Sequence, residues 1–214
     1  MDAVIFDMDG VLVDSERQWK LAGEAQMRCL APRWTESDNE AVVGLGVVEL
    51  HEYLERVHPP APPRAEFLRL CDGLAEEVYG RRVSAADGLV ELLASLAAKG
   101  LRVGLASSSP RPWVDRVLDR FSLRAHFAAL ATGDETPGRV KPAPDLYLLA
   151  AERLGVRPDR CVAVEDSRFG VAAAKAAGMR CLGLRGPDNA GQDLSAADGE
   201  LTSLRGAADR LFPL

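Results

Sequence analysis

Residues 3–16 read Ala3-Val4-Ile5-Phe6-Asp7-Met8-Asp9-Gly10-Val11-Leu12-Val13-Asp14-Ser15-Glu16, an apolar run that breaks into two acids and a glycine. The run is strand-length and does not alternate, which suits a strand buried on both faces of a parallel sheet. Residues 102–106, 127–131, 161–164 and 180–184 repeat the pattern. Helical spacing fills the gaps. Leu89, Leu92, Leu93 and Leu96 share a face before Gly100, and Val114, Val117, Leu118 and Phe121 share another. Ser167 is placed to cap an alanine-rich helix that ends at Gly178. Alternating strands and helices predict an α/β fold, a doubly wound parallel sheet with a Rossmann-like core.

The first strand departs from the alternation. The next strand candidate begins only at residue 102, and the stretch between reads as helices. The expected organisation is a catalytic α/β core of residues 1–14 and 84–214, with a helical cap, residues 15–83, inserted after the first strand. Within it, Pro59-Pro60-Ala61-Pro62-Pro63 must be an extended connector, because proline cannot continue a helix. Residues 13–15 and 83–86 are the expected hinge strips.

Composition narrows the partners. The formal charge is −6, with 47% hydrophobic and 27% charged residues and no basic stripe, so a nucleic-acid partner is not expected. No apolar run approaches a membrane span, and the first residues lack the basic head and apolar stretch of a signal peptide. Cys29, Cys71, Cys161 and Cys181 form no C-x-x-C pair and read as reduced thiols of a cytoplasmic protein. A monomer and a weak homodimer are both compatible with the chain.

Ligands of parallel α/β sheets bind beyond the carboxyl ends of the strands. Asp7, Asp9 and Gly10 follow the first run, Ser107, Ser108 and Ser109 the second, and Glu165, Asp166 and Ser167 the fourth. Lys141 precedes a Pro-Ala-Pro-Asp helix start. Four acids, hydroxyls and a lysine at one sheet edge are the chemistry of a divalent metal, most suitably Mg²⁺, and a phosphoryl group. Asp7 can stay ionised as nucleophile, while Asp9 protonates the leaving oxygen and later takes a proton from water. Each piece alone has a plainer account: a turn at Asp-x-Asp-Gly, caps at the serines and at 165–167, a solvated Lys141. Trp19, Trp34 and Trp113 read as packing residues. The plain accounts would have to hold at four sites together.

Phe6-Asp7-Met8-Asp9-Gly10-Val11-Leu12-Val13-Asp14-Ser15-Glu16, Ala106-Ser107-Ser108-Ser109, Lys141-Pro142-Ala143-Pro144-Asp145 and Val164-Glu165-Asp166-Ser167 together resemble the four motifs of the haloacid dehalogenase superfamily, in its helical-cap phosphatase and phosphomutase branch. The resemblance implies Asp7 as nucleophile and Asp9 as general acid/base. It implies Ser107 with a neighbouring backbone N–H, Ser108 and Lys141 around the phosphoryl group. Mg²⁺ would sit on Asp7, the Asp9 carbonyl and Asp166, with Glu165 direct or through water.

Within the branch, the stretches at 14–19 and 104–110 look most like bacterial phosphatases of hexose, deoxyhexose and hexitol phosphates. The alternative is a β-phosphoglucomutase-like mutase. Trp19 stands where that group has a histidine, Lys20 is the only lysine between residues 15 and 83, and Gly44-Leu45-Gly46-Val47 lacks the arginine common after the cap glycine. Arg17, Lys20, Arg33 and His51 are then the candidates for gripping a second phosphate, and Trp19 a candidate for reading hydroxyls. A remoter alternative is a non-enzymatic phospho-acceptor signalling domain, which is shorter and carries no insertion after its first strand.

Overall fold

The computed structural model describes residues 1–42 and 45–211. The strands are β1 (Ala3–Phe6), β2 (Arg102–Ser107), β3 (Ala129–Thr132), β4 (Cys161–Glu165), β5 (Arg180–Leu184) and β6 (Glu200–Leu201). All pair in parallel, in the order β3-β2-β1-β4-β5-β6. β1 is central, with Phe6 level with Leu105 on one side and Val164 on the other.

Both faces of the sheet are covered, and the strand period of two sorts the side chains between them. Val4, Phe6, Val103, Leu105, Val162 and Val164 point into a large-residue core with α5 (Leu89–Ala98) and α6 (Arg111–Arg120). Ala3, Ile5, Ala106, Ala131, Cys161 and Ala163 face α7 (Asp145–Leu154) and α8 (Arg168–Ala176), where small residues let those helices lie close. Ser167 Oγ accepts from Gly170 N at 3.1 Å, the expected N-cap of α8. A last short helix, α9 (Ala208–Leu211), ends the described chain.

Three details differ from the sequence pattern. The third strand starts at Ala129, because Arg124–His126 form a 3₁₀ turn and the Phe127 ring packs edge-on against Phe6, with centroids 6.5 Å apart. Ser107 and Glu165 are the last paired residues of β2 and β4 rather than the first beyond them, matched to Thr132 and Gly183. The two-residue β6 is too short to leave a pattern; its Leu201 carbonyl accepts from Arg185 N at 2.7 Å.

Between β1 and β2 the chain forms α1 (Ser15–Leu30), α2 (Glu36–Val42), α3 (Val47–Val57), α4 (Arg64–Glu77) and a π-helical turn (Val78–Arg82) before α5. The strips on either side of this helical stretch lie together: Val13 bridges Ala85 in antiparallel sense, and Asp14 N donates to Ser84 O at 3.2 Å. The proline connector bends through 58–60 and is irregular over 61–63; the Pro62 carbonyl accepts from the buried His51 Nε2 at 2.8 Å. Among the described residues, no helix is long and apolar enough to cross a membrane.

Candidate active site

β1, β2 and β4 are neighbours, so the residues at their carboxyl ends meet at one edge. Lys141 Nζ donates to Asp7 Oδ1 and to Glu165 Oε1, each at 2.5 Å. All three side chains are buried. Tyr147 on α7 donates to the same Glu165 oxygen at 2.7 Å, and Lys141 lies over its ring, 5.1 Å from the centroid. Asp7, Glu165 and Asp166 each offer an oxygen within 4.8 Å of the others.

Two glycines keep this cradle open. Gly10 has φ +75°, and a Cβ there would fall 1.9 Å from Asp166 Oδ2. A Cβ on Gly170 would meet the Glu165 carboxylate at 1.9 Å. Three hard carboxylate oxygens, grouped with no His or Cys ligand atom among the described residues, fit Mg²⁺.

The cluster is short of positive charge. Burial pushes Asp7 up to about 8 against the pull of Lys141, and Glu165 and Asp9 add to the rise. Burial raises Asp166 too, helped by Glu16, Asp7 and Glu165. Burial opposes the charge on Lys141, but Asp7 and Glu165 outweigh it and raise its pKa. A divalent cation relieves such an excess of carboxylate.

Asp9 faces another set of groups. Its Oδ1 accepts from Ser15 Oγ and Tyr79 OH, both at 2.7 Å, and its Oδ2 from Ser109 Oγ at 3.0 Å. Burial raises the Asp9 pKa, and the three hydroxyls work against that rise. In the serine loop, Ser107 Oγ accepts from Ser109 N at 3.1 Å. The Ser108 hydroxyl is buried without a partner, as a group awaiting a ligand oxygen would be.

The expected residues therefore separate. Asp7, Lys141, Glu165 and Asp166 form one cluster, Ser107 and Ser108 lie along β2 and its following loop, and Asp9 sits with hydroxyl donors at its side. Sequence reading missed Tyr79, Tyr147 and Asn189, and it gave Ser109 no separate task. Asn189 Nδ2 donates to the carbonyls of Asp166 at 2.8 Å and Leu184 at 2.7 Å, tying the loop after β5 to the Asp166 backbone. No motif marks these positions; only the spacing of Tyr147, two residues into the helix after Pro144-Asp145, hinted at a place near Lys141.

Several expectations for the helical insertion change. Trp34 and Trp113 are packed as expected, but Trp19 also donates its indole N–H to Tyr79 OH at 3.0 Å, so that N–H is committed within the protein rather than free to read a substrate hydroxyl. Lys20 pairs with Glu36 at 2.7 Å on the surface, and His51 turns inward to Pro62. Arg17 and Arg33 are exposed. Gly44 lies outside the described residues. A larger depression, about 370 Å³, opens at the opposite end of the sheet. Its Arg157 and Arg160 are already paired with Asp159 and Asp2, and Arg102 with the Leu154 carbonyl.

A family model for haloacid dehalogenase-like hydrolases matches residues 1–178. Hexitol phosphatase B of Escherichia coli K12 is 38% identical over 196 residues, 87% of this chain and 84% of the relative. Protein CbbY of Rhodobacter capsulatus is 32% identical over 224 residues, 100% of this chain and 98% of the relative. The crystal structure of CbbY from Rhodobacter sphaeroides in complex with phosphate superposes with a TM-score of 0.83 at 29% identity, covering 97% of this chain and 96% of that one. The match removes the signalling-domain reading, for the chain belongs to the haloacid dehalogenase-like hydrolases.

Proposed function

We propose that this hydrolase is a Mg²⁺-dependent phosphatase of sugar or polyol monophosphates, acting through a phospho-aspartate on Asp7, with residues 15–83 as its cap. The observation that carries the reading is the buried Asp7–Lys141–Glu165 contact with Asp9 held beside it. Asp7, the Asp9 carbonyl, Asp166 and Glu165 would hold the metal. Once bound, Mg²⁺ supplies charge that the carboxylate cluster lacks and lowers the repulsion between Asp7 and an incoming phosphate.

The chain's own groups account for both halves of the reaction. Lys141 with Ser107 and Ser108 would hold the phosphoryl oxygens. An Asp7 oxygen forms a bond to phosphorus as the phosphorus–alkoxide bond breaks, and Asp9 gives its proton to the departing oxygen. Asp9 then accepts a proton from water, the water oxygen bonds to phosphorus, and the Asp7–phosphorus bond breaks to release inorganic phosphate.

The insertion supports a monophosphate. Arg17, Lys20, Arg28, Arg33, Arg56, Arg64 and Arg69 on or between its helices are all exposed. The charged group it brings toward the acids is Glu16, pushed up to about 7 by burial and then by Asp9, Asp188 and Glu165. A second phosphate would find no buried arginine fork there, whereas hydroxyls suit Glu16. On the other side, Val47 and Glu49 of α3 line a small cleft with Ser108 and Pro110. Among the relatives, hexitol phosphatase B is named for a polyol phosphate, which supports the sugar or polyol part of the reading.

The test is phosphate release, with Mg²⁺, from hexose, hexitol and deoxyhexose monophosphates, phosphoglycolate and sugar bisphosphates. Preference for a sugar or polyol monophosphate is expected. A parallel incubation takes β-glucose 1-phosphate with and without β-glucose 1,6-bisphosphate. Bisphosphate-dependent glucose 6-phosphate with negligible free phosphate would replace the phosphatase reading by a mutase.

A further inference from the structure

We propose that Tyr79 is a positioning residue for Asp9, fixing the carboxyl group in the orientation that delivers its proton to the leaving oxygen. The proposal rests on the acid role of Asp9 given above. Tyr79 lies in the π-helical turn that closes the insertion, and the last carbonyls of a helix have no partner within it. Arg120 of α6 supplies one, donating through Nη1 to the Tyr79 carbonyl at 2.7 Å. The ring is wedged edge-on to Trp19, with centroids 5.7 Å apart, and tilted against Trp113 at 6.0 Å. Its side chain is buried, so the phenol has little room to move.

The direction of the hydrogen bond follows from its neighbours. Trp19 Nε1 can only donate, and it donates to the Tyr79 oxygen at 3.0 Å. Of the oxygens left to accept the phenol proton, Asp9 Oδ1 at 2.7 Å is far nearer than Ser109 Oγ at 3.5 Å, so the proton is aimed at Asp9. Tyr79 thus meets Asp9 as a donor from the protein side, so it orients the acid and does not replace it. Ser15 and Ser109 also donate to Asp9, but from short side chains with no ring to be clamped. Tyr79 alone reaches Asp9 from a rigid ring clamped by two indoles and an arginine. Geometry of this kind matters because a displacement of about 1 Å in a catalytic group can lower rates by about 10².

Protonation of the leaving oxygen matters far more for an alkoxide than for p-nitrophenolate. Rates are therefore compared on p-nitrophenyl phosphate and on the best alkyl monophosphate for the parent, Tyr79→Phe, Trp19→Phe and Asp9→Asn proteins, all with saturating Mg²⁺. Asp9→Asn should lose far more on the alkyl ester. Tyr79→Phe should shift the alkyl-to-aryl ratio in the same direction by about tenfold, the worth of one well-placed hydrogen bond, and Trp19→Phe by less. Equal losses on both esters in Tyr79→Phe, or none, would sink the proposal while a split in Asp9→Asn leaves the acid role standing. If Asp9→Asn itself shows no split, the acid role fails and the Tyr79 role falls with it. Should Tyr79→Phe not melt cooperatively, Trp19→Phe decides: a shifted ratio supports the proposal and an unshifted ratio overturns it.

Discussion

Asp7 and Lys141, 134 positions apart in the chain, meet at 2.5 Å with both side chains buried. The ammonium simultaneously reaches Glu165, so one cation holds two of the three carboxylates that face the proposed metal position. Breaking a buried pair by removing one member strands the other, typically at about 3–5 kcal/mol. Lys141→Met should therefore melt earlier without metal. Mg²⁺ should then raise its melting temperature by more than it raises that of the parent, because the cation becomes the cluster's only positive charge. Turnover should fall by about 10²–10³, the scale for losing an electrostatic contact to the transferring group. Equal Mg²⁺ shifts in parent and variant would contradict this account.

Asp7→Asn keeps the side-chain shape and removes the attacking charge. Turnover should drop by about 10³ or more, as for other nucleophile replacements, while the cooperative melt persists. EDTA should abolish activity in the parent and Mg²⁺ restore it. Ca²⁺ should bind without supporting turnover, since its looser coordination tolerates poor alignment. Activity in Asp7→Asn close to that of the parent would overturn the phospho-aspartate.

Glu135 offers a prediction in pH. It accepts from Arg153 at 2.7 and 2.9 Å and from the Thr132 N–H and hydroxyl at 3.0 Å, closing the turn after β3. Arg153 first, then Thr132, hold its carboxyl at about 2, against an ordinary 4.5. A depressed carboxylate stabilises the fold above its unfolded value and loses that stabilisation as pH falls through the folded one. The melting-temperature gap between parent and Glu135→Gln should be full at about pH 5 or above and shrink toward about pH 2. A gap that stays constant across this window would rule out the linkage.

Much of this protein was legible in its residues. Short apolar runs at 3–6, 161–164 and 181–184, too short for helices, read as buried strands, and a polar group just beyond a buried parallel strand lies at the sheet edge. Asp7 and Asp166 could thus be placed at one edge without coordinates, whereas Lys141 follows no strand and could be expected there only from the chemistry of the set and the resemblance at 141–145. Helix period and terminal signals likewise placed the Leu89–Leu96 face and the Ser167 cap, because both are local effects of a few neighbouring residues.

What the tertiary structure alone decided lies in contacts between distant segments. Phe127 leaves the third strand because a turn and the Phe6 ring compete for it, which no window of a few residues can reveal. Tyr79 and Ser109 come to Asp9 from 70 and 100 positions away, and Tyr147 comes to Glu165 from 18. Trp19 looks like any packing tryptophan until its indole N–H is seen spent on Tyr79. Strand and helix patterns repeat along the chain and can be read from it; hydrogen-bond partners depend on how the insertion folds back over the sheet, and that is set by packing alone.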